Sequence, residues 1–164
     1  MLNDWPTIVA EHGRMVFRTA YRILGCAADA EDVAQDVLLE VFSRAVTEKI
    51  DNWGAYLRKL TVFRALDRRR KRRGTAVLNQ DEFPSVELSP HDEAVRRELT
   101  ERLRDLMASL PEREGAVFAL RYLEGLSNPE IATALEISTG AVAAALHKVR
   151  TKLEAAVSES HSRE

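Results

Sequence analysis

Three groups of side chains in this sequence have types and spacings suited to binding chemistry. Asp32, Asp36 and Glu40 recur every fourth residue, with Gln35 and Leu39 among them. On a helix the carboxylates form one stripe whose like charges repel by a few tenths of a kcal/mol. A solvated face tolerates that cost, but a stripe that includes an outward leucine better fits a basic protein partner. The second group is cationic: Arg58 to Arg73 holds nine basic side chains and one acidic one, ending in the run RRRKRR. Trp53, Tyr56 and Phe63 occur at helical spacing in and just before this segment, with Lys59, Arg64 and Arg68 nearby. Cations beside rings suit single-stranded or distorted DNA, whose bases stack on aromatic faces. Rings at this spacing also build cores, and Trp53 is open to both readings. In the third group Ser138 and Thr139 stand where a helix should start, a place that attracts phosphate, and the cations Lys148 and Arg150 follow on that helix with His147.

These residues need helices to position them, and the apolar periodicity supplies helices throughout. Ile8, Val9, Val16, Phe17, Ala20, Tyr21 and Leu24 mark a first helix, which Gly25 ends. The segment DAEDVAQDVLLEVFSRA places Val33, Val37, Leu38, Val41 and Phe42 on one face, with Asp29 as its expected cap. A third helix runs from Trp53 to about Arg72. Two more are expected from Ala94 to Leu110 and from Glu112 to Leu123, where Pro111 suits a first turn and Gly125 a left-handed C-terminal cap. Ser127 and Glu130 have capping-box spacing, with Pro129 in the first turn of a short helix that ends at Leu135. The turn Glu136 to Ser138 follows. A last helix should then bury Val142, Leu146, Val149 and Leu153. A short helix, a tight turn and a longer helix make a helix-turn-helix, and the fold class is all-α.

Charge divides the chain where the net value of -2 says nothing. Residues Met1 to Leu57 carry five basic and nine acidic side chains, and the strongly basic segment then reverses the sign. Residues Gly74 to Val95 hold five acidic and no basic side chains, with Pro84 and Pro90 among them. Such a stretch buries little and reads as a flexible acidic linker between two small helical domains.

Several function classes are disfavoured. The one cysteine, Cys26, rules out an internal disulfide, and the four histidines lack ligand spacing, so no metal or cofactor is expected. The longest relevant uncharged stretch, Ile137 to Leu146, has 10 residues, too short to span a bilayer. With no basic-then-apolar leader, the cytoplasm is the expected compartment. The carboxylates come without a nucleophile, a glycine-rich phosphate loop or a polar pocket, so neither an enzyme nor a small-molecule substrate is expected.

The stretches DAEDVAQDVLLEVF, NWGAYLRKLTVFRALDRRRKRR and LPEREGAVFALRYLEGLSNPEIATALEISTGAVAAALHKVRTKLE together resemble the bacterial RNA polymerase sigma factors of the extracytoplasmic-function (ECF) group. The resemblance implies a region 2-like domain over residues 1–73, a linker over 74–92, a region 4-like domain over 93–157 and a tail over 158–164. It implies that Asp32, Gln35, Asp36, Leu39 and Glu40 dock on core RNA polymerase. It assigns the minus-ten promoter element to Trp53, Tyr56, Lys59, Phe63, Arg64 and Arg68, and the minus-thirty-five element to Arg113, Ser138, Thr139, His147, Lys148 and Arg150. Promoter DNA and an anti-sigma factor or other protein regulator are the further partners it implies. The sequence departs from the family at Ala143, Ala144 and Ala145, which cannot donate hydrogen bonds to base edges, and at Phe63, where the family commonly has asparagine. The reading outside this family is a stand-alone helix-turn-helix regulator of duplex DNA.

Overall fold

The computed structural model describes residues 4–72 and 89–162. Among the described residues seven α-helices run α1 Trp5–Leu24, α2 Ala27–Ala45, α3 Trp53–Arg72, α4 Pro90–Ser109, α5 Glu112–Phe118, α6 Asn128–Leu135 and α7 Thr139–His161. No strand occurs among the described residues, and no helix is long and apolar enough to cross a membrane.

Local signals set most boundaries. Gly25 ends α1 in the left-handed conformation at φ 71°, and its N–H donates to Tyr21 O at 2.8 Å. Cys26, not Asp29, occupies the cap of α2; Asp29 lies in the first turn, where it accepts from Arg68 and Arg72 of α3. α4 begins at Pro90, four residues before the expected start, because Ser89 Oγ accepts the Asp92 N–H. That turn takes residues 90–92 out of the expected linker; the part of the linker over 74–88, and Arg73, lie outside the described residues. The helix expected to run from Glu112 to Leu123 changes pitch: α5 passes into a π turn over Ala119–Leu123.

α1, α2 and α3 pack on one another, and α7 packs on both α5 and α6. The buried face of α2 carries Val33, Val37 and Val41. At about 1.5 kcal/mol per buried valine, this burial outweighs the few tenths lost to repulsion along its acidic face. The two halves then share one apolar cluster, in which Leu57, Val62, Ala65 and Leu66 of the first half join Met107, Val117, Leu120 and Ile131 of the second. The halves also meet at Gly115, where an added Cβ would sit 3.4 Å from Leu66 Cδ1 of the first half and 2.9 Å from Met107 O of its own.

Gly25 has a second constraint, since an added Cβ would lie 2.5 Å from Nη1 of Arg104 on α4. Left-handed backbone alone costs a non-glycine residue about 1–2 kcal/mol. Gly25→Ala should therefore destabilise the chain by about 2 kcal/mol in urea unfolding, whereas Gly13→Ala, whose Cβ meets only Val9 Cγ1 at 3.7 Å, should be neutral or stabilising.

Candidate functional site

The acidic face of α2 and the cationic face of α3 partly neutralise each other. Arg68 Nη2 donates to Asp29 at 2.8 Å and to Asp32 at 3.2 Å, and Arg64 Nη2 donates to Glu40 at 2.7 Å. The hydrogen bond to Asp29 is the main cause of a raised Arg68 pKa. Glu40 also pairs with Arg44 at 2.9 Å, and Arg44 donates to Tyr56 Oη at 3.4 Å. Asp36 and Gln35 stay exposed with no partner among the described residues, and Leu39 is 68% exposed. Phe42 and Val46, at 49% and 75% exposure, continue this face toward the end of α2. Their exposure was missed in the sequence because periodicity assigns Phe42 to the core.

Trp53 is half-buried in an aromatic group at the start of α3. Its ring meets Trp5 edge-on at 6.4 Å, and Trp5 in turn tilts against Phe42 at 5.2 Å. Tyr56 and Phe63 pack against the apolar cluster with part of each ring in solvent. Lys59, also partly exposed, has no partner among the described residues.

Two members of the cationic run do something sequence reasoning missed: Arg69 and Arg70 turn toward the other half. Arg69 is 8% exposed. Its guanidinium donates to Leu24 O at 3.0 Å, to Glu101 at 2.7 Å and to Asp105 at 3.0 Å. Arg70 Nε donates to Ala108 O at 2.8 Å, but its Nη2 is buried with no acceptor. A second cluster centres on Glu124, whose side chain is 4% exposed at the end of the π turn. It accepts from Thr19 at 2.9 Å, Arg22 at 3.1 Å and Arg58 at 3.3 Å. These partners lie 66 to 105 residues from Glu124, so no local sequence signal marks them.

The helix-turn-helix is built by its caps. Ser127 and Glu130 form the reciprocal capping box of α6, which also lowers the Glu130 pKa, mainly through the Ser127 backbone N–H. Glu136 closes α6 at φ 55°, a left-handed position for a residue with a side chain. Ser138 Oγ caps α7 by accepting the Ala141 N–H at 3.0 Å and keeps its own hydroxyl proton to donate. Thr139, His147, Lys148 and Arg150 of α7 and Arg113 of α5 are exposed, and these side chains have no partner among the described residues. Ala143 and Ala144 are exposed beside them, whereas Ala145 is buried.

Comparison with known proteins matches Sigma-70 region 2 to residues 8–75 and Sigma-70, region 4 to residues 100–153. The ECF RNA polymerase sigma factor SigL of Mycobacterium tuberculosis is 33% identical over 84% of this chain and 79% of its own length. The chain belongs to the ECF sigma factors. The ECF RNA polymerase sigma factor SigE of Mycolicibacterium smegmatis is 32% identical over 93% of this chain, which spans 61% of that protein's length. SigW of Bacillus subtilis, of the same group, is 26% identical over 92% of this chain and 87% of its own length. A structure of CnrH in complex with the cytosolic domain of CnrY has the same fold, with a TM-score of 0.60 at 22% identity, covering 94% of this chain and 88% of that one. Region 2 of the sigma factor thus comprises α1 to α3, and region 4 ends in the α6–α7 helix-turn-helix. As a sigma factor the chain serves transcription initiation by RNA polymerase.

Among the described residues no group of His, Cys, Asp and Glu is placed to hold a metal ion. The ionic contacts between the two regions do carry a pH dependence. Burial pushes the Glu101 carboxyl up, but hydrogen bonds from Arg69 and Arg104 outweigh it, and the net shift is downward. A lowered carboxylate contributes stability that is full above its unfolded value, about 4.3, and is lost as pH falls through the folded value below that. Glu101→Gln should therefore flatten the acid limb of a thermal-melt series below about pH 4.3, leaving the slope near pH 7 unchanged.

Proposed function

We propose that this sigma factor binds core RNA polymerase through the outer face of α2, with Asp32, Gln35, Asp36 and Leu39 as contacts and Glu40 holding Arg64 beside them. The observation that carries the reading is the combination on one face of an unpaired Asp36 with Leu39 and Phe42 in solvent. A carboxylate next to exposed apolar surface fits a partner that is both cationic and apolar. SigL and SigE are named as RNA polymerase sigma factors, which supports polymerase as that partner.

The partly exposed side of α3 then meets the minus-ten element. Lys59, Arg64 and Arg68 supply phosphate contacts, and Trp53, Tyr56 and Phe63 offer ring surface to unpaired bases. Opening a promoter this way needs no catalysis, only stronger binding to unpaired than to paired DNA, and the chain works as a binding factor in the cytoplasm. α7 sits on the minus-thirty-five element, its start at a phosphate, with Arg113, Ser138, Thr139, Lys148 and Arg150 on the backbone and His147 facing the groove. CnrH is in complex with the cytosolic domain of CnrY, which supports a protein partner of that kind for this chain.

The two interfaces are tested separately. Asp36→Lys should weaken association with purified core polymerase at least about tenfold, because it reverses a charge with no internal partner to lose. Unchanged association would end the assignment of α2. For α7, selection of promoters from a random library with the assembled holoenzyme should return a defined downstream element and a tolerant upstream one, since Ala143 and Ala144 offer no donor to base edges. A sharply defined upstream motif would contradict the phosphate-based reading.

A further inference from the structure

The contacts between regions 2 and 4 are chemically unlike an interface kept for stability alone. Each cluster buries one charge, Arg69 or Glu124, against partly exposed partners, and a buried ion pair is often matched or exceeded in stability by apolar side chains of similar size. Here the charges are sorted: carboxylates from region 4 (Glu101, Asp105, Glu124) face guanidiniums from region 2 (Arg22, Arg58, Arg69). Arg58, Arg69 and Arg70 stand on the same helix as Lys59, Arg64 and Arg68 of the proposed minus-ten surface. Arg70 Nη2 is buried without an acceptor, so the packed state leaves part of one cation unsatisfied.

Geometry requires this packing to be temporary if the proposed function is right. Two promoter elements somewhat under two duplex turns apart are separated by about 60 Å, at about 34 Å per turn. A compact chain of this length has a radius of gyration of about 15 Å and spans about 40 Å. The two regions must therefore separate to reach both elements, and separation strips the carboxylates from the arginines.

We infer that Arg22, Arg58, Arg69 and Arg70 form a second phosphate-binding row for duplex DNA, and that Glu124, Glu101 and Asp105 of region 4 occupy it as phosphate stand-ins while the regions are packed. The inference rests on the proposed sigma reading for the need to open, but the row itself is a property of α1 and α3. Carboxylate and phosphate oxygens satisfy a guanidinium in the same way, so exchanging one for the other leaves few buried donors unpaired. In the packed form the chain should bind DNA weakly; once opened, region 2 gains cations that track the duplex backbone.

The test measures binding of the full-length chain to a fluorescent duplex of arbitrary sequence, by anisotropy across a salt series. Glu124→Gln should bind at least about fivefold tighter than Glu31→Gln, an exposed substitution of equal charge, and its log K against log salt should steepen by about 1–2 as Arg22 and Arg58 become available to phosphates. Adding Arg58→Gln should remove most of that gain. The double variant Glu101→Gln/Asp105→Asn frees the other end of the row and should show the same gain if Glu124→Gln loses its helical circular dichroism. Affinity no greater than that of Glu31→Gln, or a gain that survives Arg58→Gln, overturns the inference. Transcription by wild-type chain and core polymerase, run in parallel, reads the sigma assignment independently: its failure with a duplex gain leaves the arginine row standing, and its success without one removes the row alone.

Discussion

A guanidinium buried to 8% exposure, that of Arg69, is the contact on which the arrangement of the two regions depends. It reaches a backbone carbonyl at the end of α1 and two carboxylates on α4, so one side chain ties three helices. Removing one partner of a fully buried pair typically costs about 3–5 kcal/mol; the cost here is smaller, because Glu101 and Asp105 keep 33% and 50% of their side chains in solvent. Even a cost of about 1–2 kcal/mol is a sizeable part of the stability of a small protein. Glu124 repeats the arrangement with the signs exchanged, an acid from region 4 set among donors from region 2. Between the two clusters lies apolar surface, including Leu66 against Gly115, which supplies attraction while the charges fix orientation.

α3 is consequently a helix with three sets of obligations. One side pairs with Asp29, Asp32 and Glu40 of α2, another with region 4, and its N-terminal aromatics pack near Trp5. Its cations are therefore not a solvated patch waiting for a ligand. Every described member of the run from Arg68 to Arg72 has a partner: Arg68 and Arg72 on α2, Arg69 and Arg70 on region 4, and Lys71 on Asp67. Any DNA contact by these groups is an exchange of partners, and an exchange between anions costs much less than the desolvation of a free cation.

This division also explains what could be read from the sequence. Local signals survive into the structure: the capping box at Ser127 and Glu130, the left-handed Gly25, the Ser138 cap and the valine stripe of α2 are visible within a few residues of chain. The exposure of Leu39 and Thr139 was legible for the same reason, since residue type and helical period decide which side chains can face outward. Pairings over long separations were not, and the closed packing of the regions is made of these. Glu124 reads as one more surface acid, and nothing near it indicates that a π turn carries it toward Arg22 and Arg58. Asp29 looked like a cap because aspartate is a good one; the tertiary demand of two arginines took its carboxylate instead.

The helix-turn-helix shows how far side-chain chemistry limits recognition on the proposed reading. Along α7, Thr139, Ala143, His147 and Arg150 succeed one another on the exposed face. At about 1.5 Å per residue, Thr139 to His147 spans about 12 Å, the width of the major groove, so Arg150 falls at its far rim beside the backbone. Within the groove only Thr139 and His147 on this line can hydrogen-bond, and Thr139 sits at the helix start where a phosphate competes for it. His147 is then the one central side chain able to distinguish base edges, while the alanines let the helix axis approach closely. A surface of this kind fixes position along the duplex more strongly than it fixes sequence, which leaves promoter choice mainly to the aromatic and cationic face of α3.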